Sequence, residues 1–210
     1  METVRTDVIA HPLVADRLAV MRDEATAPDR FRAALADLAR MLVYEATREL
    51  PTRPVTVPTP LAPAPGFALD TEIIFVPVLR AGLGMLPAAF ELIPTASAGF
   101  VGLARDERTF QPRTYLESLP GDLSGHQVIV LDPMLATGGS ALHALRLLTE
   151  HGASGIILVA AVAAPEGVAA LEASGLDVRV VAAAIDDRLN ADAYIVPGLG
   201  DAGDRQFGAV

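Results

Sequence analysis

Asp132 is the natural starting point for the chemistry this chain could perform. It closes the apolar run Val128–Leu131, and beyond Pro133, Met134, Leu135 and Ala136 comes Thr137-Gly138-Gly139-Ser140, where a helical pattern begins. An acid delivered by a buried strand can accept hydrogen bonds from sugar hydroxyls. Paired glycines let main-chain N–H groups turn toward an anion, and a helix start adds partial positive charge. The segment therefore has the makings of a lysine-free sugar-phosphate cradle. It also fits a plain strand-to-helix turn with Ser140 as cap. Arg80 and Arg105 each end another apolar run. Their planar donor forks suit phosphate oxygens, so the two could grip a pyrophosphate. Arg105 could instead pair with Asp106 or Glu107, and Asp106, Glu107 and Arg108 read as a solvated charge run.

Much other chemistry is excluded. The 210 residues contain no cysteine, which removes disulfides, thiolate metal sites and a thiol nucleophile. All 16 basic residues are arginine, so neither a Schiff-base lysine nor a GxxxxGK[ST] phosphate loop can form. His11, His126, His143 and His151 share no metal-ligand spacing and read as structural, so no metal site is expected from protein ligands alone. A formal charge of −10 disfavours nucleic acid as a partner. Charged residues throughout the first thirty positions do not resemble a signal peptide, and the apolar run Ile156–Ala164 is too short to span a membrane, which takes about 20 residues. A cytoplasmic protein without membrane association is expected.

The elements that must position these residues follow from pattern. Leu13–Arg22 and Pro28–Leu50 read as helices, the second with Phe31, Leu35, Leu38, Leu42 and Ala46 at helical spacing. Residues 51–66 hold Pro51, Pro54, Pro58, Pro60, Pro63 and Pro65, which break helices and withhold donors, so a connector or exposed arm with short extended pieces is expected. Ile73–Leu79, Gly99–Leu103, Val128–Leu131, Ile156–Ala163 and Val178–Ile185 are apolar without alternation, as strands buried on both faces are. Met85–Leu92, Ser140–His151 and Glu166–Ser174 read as helices between them, and Arg108–Leu119 as a long loop or hairpin over one end. This alternation predicts one α/β domain over 1–210, with N-terminal helices at 11–50 and an open, mostly parallel sheet flanked by helices. Ligands of such sheets bind beyond the carboxyl ends of the strands.

Two glycine-rich stretches invite a dinucleotide reading, and both fail on context. Gly82-Leu83-Gly84 is followed by Pro87 where a third glycine belongs. Gly198-Leu199-Gly200-Asp201-Ala202-Gly203 has only seven residues after it, too few for a helix and a second strand. The tail reads either as a mobile, solvated loop or as a pocket whose glycine-rich backbone approaches the edge of a small planar ring.

The stretch DPMLATGGS at 132–140 resembles the ribose-phosphate loop of the type I phosphoribosyltransferases, which bind phosphoribosyl pyrophosphate (PRPP), and within them the uracil phosphoribosyltransferases. HPLV at 11–14, LRAGLGM at 79–85, VAAPEG at 162–167 and YIVPGLGDAGDR at 194–205 extend the resemblance, in order, over nearly the whole chain. Many type I relatives carry two adjacent acids at the loop start; here Pro133 follows Asp132, leaving a lone carboxylate for the ribose. The resemblance implies a type I fold with an extended arm or hood, and transfer of a phosphoribosyl group from PRPP to uracil in pyrimidine salvage. It implies that Arg80, Arg105, Asp132 to Ser140 and Asp201 contact PRPP. Ile195, Gly200, Asp201 and Ala202 would surround uracil, and Asp132, Asp201, Arg80 and Arg105 would serve catalysis. It further implies Mg²⁺ bound with PRPP, a homo-oligomer (dimer or tetramer) and, in some members, activation by GTP. A purine or orotate transferase, an RNA-binding regulator and an α/β module without chemistry are the alternatives. The 195–202 stretch offers no cation for orotate, and the acidic charge weighs against RNA.

Overall fold

The computed structural model describes residues 4–105 and 112–208, without the side chains of Arg105 and Pro112. In chain order the elements are β1 (Arg5–Val8), α1 (Pro12–Arg22), α2 (Pro28–Ala46), β2 (Thr52–Pro58), β3 (Pro63–Leu69) and β4 (Ile73–Leu79). A 3₁₀ turn (Ala81–Gly84), α3 (Leu86–Leu92), β5 (Ser97–Ala98), β6 (Phe100–Arg105), β7 (Pro112–Ser118), β8 (Gln127–Leu131) and β9 (Met134–Leu135) follow. The chain closes with α4 (Gly139–Glu150), β10 (Ile156–Ala163), α5 (Pro165–Ser174), β11 (Val178–Ile185), β12 (Arg188–Leu189), β13 (Ile195–Val196) and α6 (Ala202–Phe207).

The main sheet runs β1-β11-β10-β8-β4-β6-β7, parallel throughout except for the antiparallel β6–β7 pair. Three of the apolar runs, 73–79, 156–163 and 178–185, become strands with the same bounds. Their lack of alternation has a direct cause: helices cover both faces. Ile73, Phe75, Ile129, Leu131 and Val159 pack with Leu18, Leu38 and Leu42 of α1 and α2 in one core. Ile74, Val76, Val128, Val130 and Leu158 pack with Leu145, Leu148 and Leu171 of α4 and α5 in the other. Neighbouring residues of one strand thus enter opposite cores, as the period of two requires.

Several elements differ from the sequence reading. α2 stops at Ala46, short of Leu50. The proline-rich stretch forms an antiparallel hairpin, β2–β3, extending to Leu69. Its pairs Pro54↔Phe67, Thr56↔Pro65 and Pro58↔Pro63 put these prolines at one parity of the register. Positions of one parity turn their N–H outward, so a ladder survives without those donors. The charged β1 adds an edge strand against β11 that no apolar run announced. The polar segment after Arg108 does form a hairpin with β6 where it is described. The expectation of a solvated charge run at Asp106, Glu107 and Arg108 lies outside the described residues.

Candidate functional site

The carboxyl ends of β4 and β8 open onto a cavity of about 280 Å³. It is bordered by Arg80, Asp132, Met134 to Ser140 and Asp201. A second cavity of about 200 Å³ adjoins it, bordered by Tyr194, Ile195, Gly200 and Asp192. Met134, Ala136, Ala193 and Asp201 border both, so the two share a wall. Four segments far apart in sequence therefore meet at one end of the sheet.

The 132–140 loop is built locally. Asp132 is 9% exposed, and its Oδ1 accepts a hydrogen bond from the Met134 N–H at 3.3 Å. Burial pushes its pKa up to about 7, the nearby Asp201 charge adds to the rise, and the Met134 bond opposes it. Gly138 caps α4 with φ +82, a left-handed conformation that favours glycine, and offers no side chain to the helix start. Ser140 thus lies inside the first turn, and Gly138, not Ser140, is the cap. One amide, that of Gly139, donates to Thr137 Oγ1 at 3.3 Å. Gly167 supports the loop from behind: a β-carbon there would stand 2.5 Å from the Ala136 carbonyl oxygen. The second half of the VAAPEG patch thereby acquires a physical role in seating the loop on α5.

Arg80 follows β4 through a cis Leu79–Arg80 peptide and lies 3.3 Å from Asp204 Oδ1. Gly82 brings this turn against the end of β8; a β-carbon there would meet the Leu131 carbonyl oxygen at 2.0 Å. The first glycine stretch is therefore a packing device that brings Arg80 to the same cavity as Asp132. Arg105 ends β6, and its side chain lies outside the described atoms; Leu103, two residues earlier, borders the larger cavity.

The tail is folded and docked, which removes the mobile-loop alternative. Asp201 caps α6, its Oδ1 accepting from the Asp204 N–H at 2.8 Å. Arg205 donates to the carbonyls of Met21, Leu199 (2.9 Å) and Asp23 (2.6 Å), and its guanidinium lies 4.5 Å from the Phe31 ring centroid. The Gln206 amide donates to the carbonyls of Ala81 at 3.0 Å and Ala202 at 2.8 Å, stitching α6 to the Arg80 turn. Glu166 accepts the Leu189 N–H at 2.9 Å and pins the strand preceding the smaller cavity.

Of the residues singled out from sequence, the structure gathers Arg80, Asp132, Met134, Leu135, Ala136, Thr137, Gly138, Gly139, Ser140, Ile195, Gly200 and Asp201 around the joined cavities. Pro133 and Ala202 are in the same segments but border neither cavity; Ala202 is buried. Sequence reasoning missed Ala193. Its φ of 64 is, among the described residues, the one positive value outside glycine. Asn190 forces the bend: its side chain accepts from the N–H groups of Asp192 (3.0 Å) and Tyr194 (2.8 Å). An Asn three residues before a small residue was the available signal, and it is a weak one.

Comparison with known proteins bears on this arrangement. The family model described as "Uracil phosphoribosyltransferase" matches residues 8–209. A uracil phosphoribosyltransferase of Corynebacterium diphtheriae is 57% identical over 201 residues, covering 96% of this chain and 95% of that protein. One from Corynebacterium efficiens is 56% identical over the same share of each. A solved structure from Aquifex aeolicus superposes with a TM-score of 0.92 at 38% identity, covering 97% of this chain and 98% of its own. A hypoxanthine phosphoribosyltransferase from Staphylococcus aureus shares the fold, with a TM-score of 0.51 at 11% identity over 75% of this chain and 76% of its own.

Proposed function

The chain belongs to the uracil phosphoribosyltransferase family, and from that premise we propose that the larger cavity holds PRPP and the smaller one uracil, placed for direct transfer between them. It transfers the phosphoribosyl group of PRPP to uracil, giving UMP and pyrophosphate, a pyrimidine salvage reaction. The observation that carries the assignment of the cavities is their shared wall at Met134, Ala136, Ala193 and Asp201. A ribose in one and a base in the other would meet at the anomeric carbon.

In this reading the amides and hydroxyls of Thr137 to Ser140 hold the 5′-phosphate at the start of α4. Ionised Asp132 accepts the ribose hydroxyls. Arg80 leaves Asp204 for the pyrophosphate, and Arg105 joins it from β6. Ile195 and Gly200 frame the ring, Ala202 backs them from the interior without bordering either cavity, and Asp201 receives or polarises the N1 proton of uracil. Breaking the bond to pyrophosphate leaves oxocarbenium character on the sugar, as in glycoside hydrolysis, so no protein nucleophile is required.

Mg²⁺ fits this setting. Asp132 and Asp201 both border the larger cavity, and two carboxylates facing one cleft are the oxygen donors a divalent cation takes. Among the described residues no group of three or more His, Asp or Glu side chains could hold a metal; in this reading the ion arrives on the pyrophosphate. When bound, it supplies charge neutralisation for the leaving group.

A homo-oligomer belongs to the same proposal. The β2–β3 hairpin is exposed along nearly its whole length, with Phe67 77% and Leu61 97% exposed, and an isolated two-stranded ribbon is marginal in water. Activation by GTP and a cytoplasmic location rest on the family resemblance. No helix among the described residues is long and apolar enough to cross a membrane. Incubating the protein with PRPP, Mg²⁺ and a panel of bases, with and without GTP, tests the reading. UMP from uracil is expected, with little product from cytosine, orotate or hypoxanthine; equal use of a purine would overturn it.

A further inference from the structure

Beyond the residues bordering the cavities, one partly buried ion pair grips the loop between Ile195 and Gly200. Asp186 follows directly on β11, its side chain is 4% exposed, and its N–H donates to the Ala163 carbonyl at 2.8 Å. Arg22, the last residue of α1, meets it with both guanidinium nitrogens, at 2.8 Å and 2.5 Å. The same pair takes both main-chain groups of Gly198. The Gly198 N–H donates to Asp186 Oδ2 at 2.8 Å, and its carbonyl accepts from Arg22 Nη1 at 2.7 Å. Gly198 has φ +62, and a β-carbon there would stand 2.0 Å from the Ile195 carbonyl oxygen. The loop is thus folded back on itself at the point where the ion pair grips it.

We propose that Arg22 and Asp186 are positioning residues for the base: by clamping Gly198 they hold Ile195, Gly200 and Asp201 at the geometry that fits uracil. The inference rests on the assignment of the smaller cavity to uracil. Neither residue borders either cavity, so they act through the loop. A planar fork is needed, because a single guanidinium must serve two carboxylate oxygens and a carbonyl at once. Lysine presents a point charge on a flexible stem and cannot reproduce that geometry. A loop held this way enters the reaction already ordered, and a displacement of about 1 Å at a reacting group costs on the order of a hundredfold.

The test is initial-rate kinetics of full-length Arg22→Lys, varying uracil and PRPP separately, with thermal unfolding followed in parallel. The KM for uracil is expected to rise at least tenfold, while that for PRPP stays within threefold. Asp186→Asn, which keeps an acceptor for the Gly198 N–H, is expected to show the same split to a smaller degree and supplies the measurement should Arg22→Lys not fold. An unchanged uracil KM in a folded variant, or both constants rising in step with lost stability, would overturn the inference alone. Absence of UMP from the wild-type protein assayed alongside would overturn the uracil assignment, and the inference with it.

Discussion

The two sides of the cleft are built by opposite means. The 132–140 side is local: a buried strand, an acid, a glycine at φ +82 and a helix follow one another within a dozen residues. The 195–201 side is held from a distance, by Arg22 and Asp186 on Gly198, by Arg205 on the carbonyls at the end of α1, and by Gln206 on Ala81. The local side presents groups whose positions follow from backbone geometry. The remote side presents groups whose positions depend on the whole domain having closed around them. In the proposed reading, phosphate recognition rests on the first side and selection of the base on the second.

Substitutions should separate the two sides. The largest effect is expected at Gly198→Ala. Left-handed backbone costs an L residue about 1–2 kcal/mol, and the new β-carbon would collide with the Ile195 carbonyl, so the loop must move. Affinity for uracil should fall about a hundredfold or more, with PRPP binding, read by calorimetry, far less affected. Equal losses would show that the two sides are not independent.

On the local side, Asp132→Asn should raise the PRPP Michaelis constant or lower turnover at least about tenfold, the usual worth of a hydrogen bond to a charged group. Wild-type kinetics would remove Asp132 from the site. The pH dependence of the same residue sharpens the point, because binding and stability should move in opposite directions. Ribose hydroxyls need the ionised acid, so PRPP affinity should weaken by about tenfold per unit as pH drops below about 7. Without ligand the sign reverses. A folded-state pKa raised from 3.8 to about 7 means that the native state binds the proton more tightly, so Asp132 favours folding at low pH. That contribution is lost as pH rises from about 4 through about 7. Thermal unfolding of Asp132→Asn against wild type should show the mutant gaining relative stability across that window; parallel curves would contradict the burial.

The smallest effect is expected at Ala193→Gly, on the shared wall. Relief of left-handed strain, about 1–2 kcal/mol, is partly offset by the added freedom of glycine, roughly 0.5–1 kcal/mol. The protein should melt at the same temperature or slightly higher, with rates changed by less than threefold. A clear loss of stability would mean that the methyl packs in a way the backbone angle does not suggest.

The same contrast explains what was legible in the sequence. Strands 73–79, 156–163 and 178–185 could be read to the residue because they are almost wholly apolar and mostly buried. The turn from Asp132 into α4 could be read because acid, glycines and helix lie in one stretch. β1 was invisible, since a charged four-residue edge strand carries no apolar signal. The β2–β3 hairpin was hidden by prolines that only a known register shows to be harmless. Arg22 looked like one more charge at the end of a helix, and its partner lies 164 residues away. Without the family resemblance the tail would have passed for a solvated loop, because what folds it is nowhere near it in sequence.

In the proposed reading, main-chain amides at the start of α4, with one buried carboxylate, grip a sugar phosphate without any lysine. A crystal structure with ribose 5-phosphate tests this most directly. Phosphate oxygens are expected within hydrogen-bond distance of the amides of Thr137 to Ser140, and ribose hydroxyls on Asp132. A phosphate held elsewhere in the cleft, with those amides bonded only to protein, would contradict it.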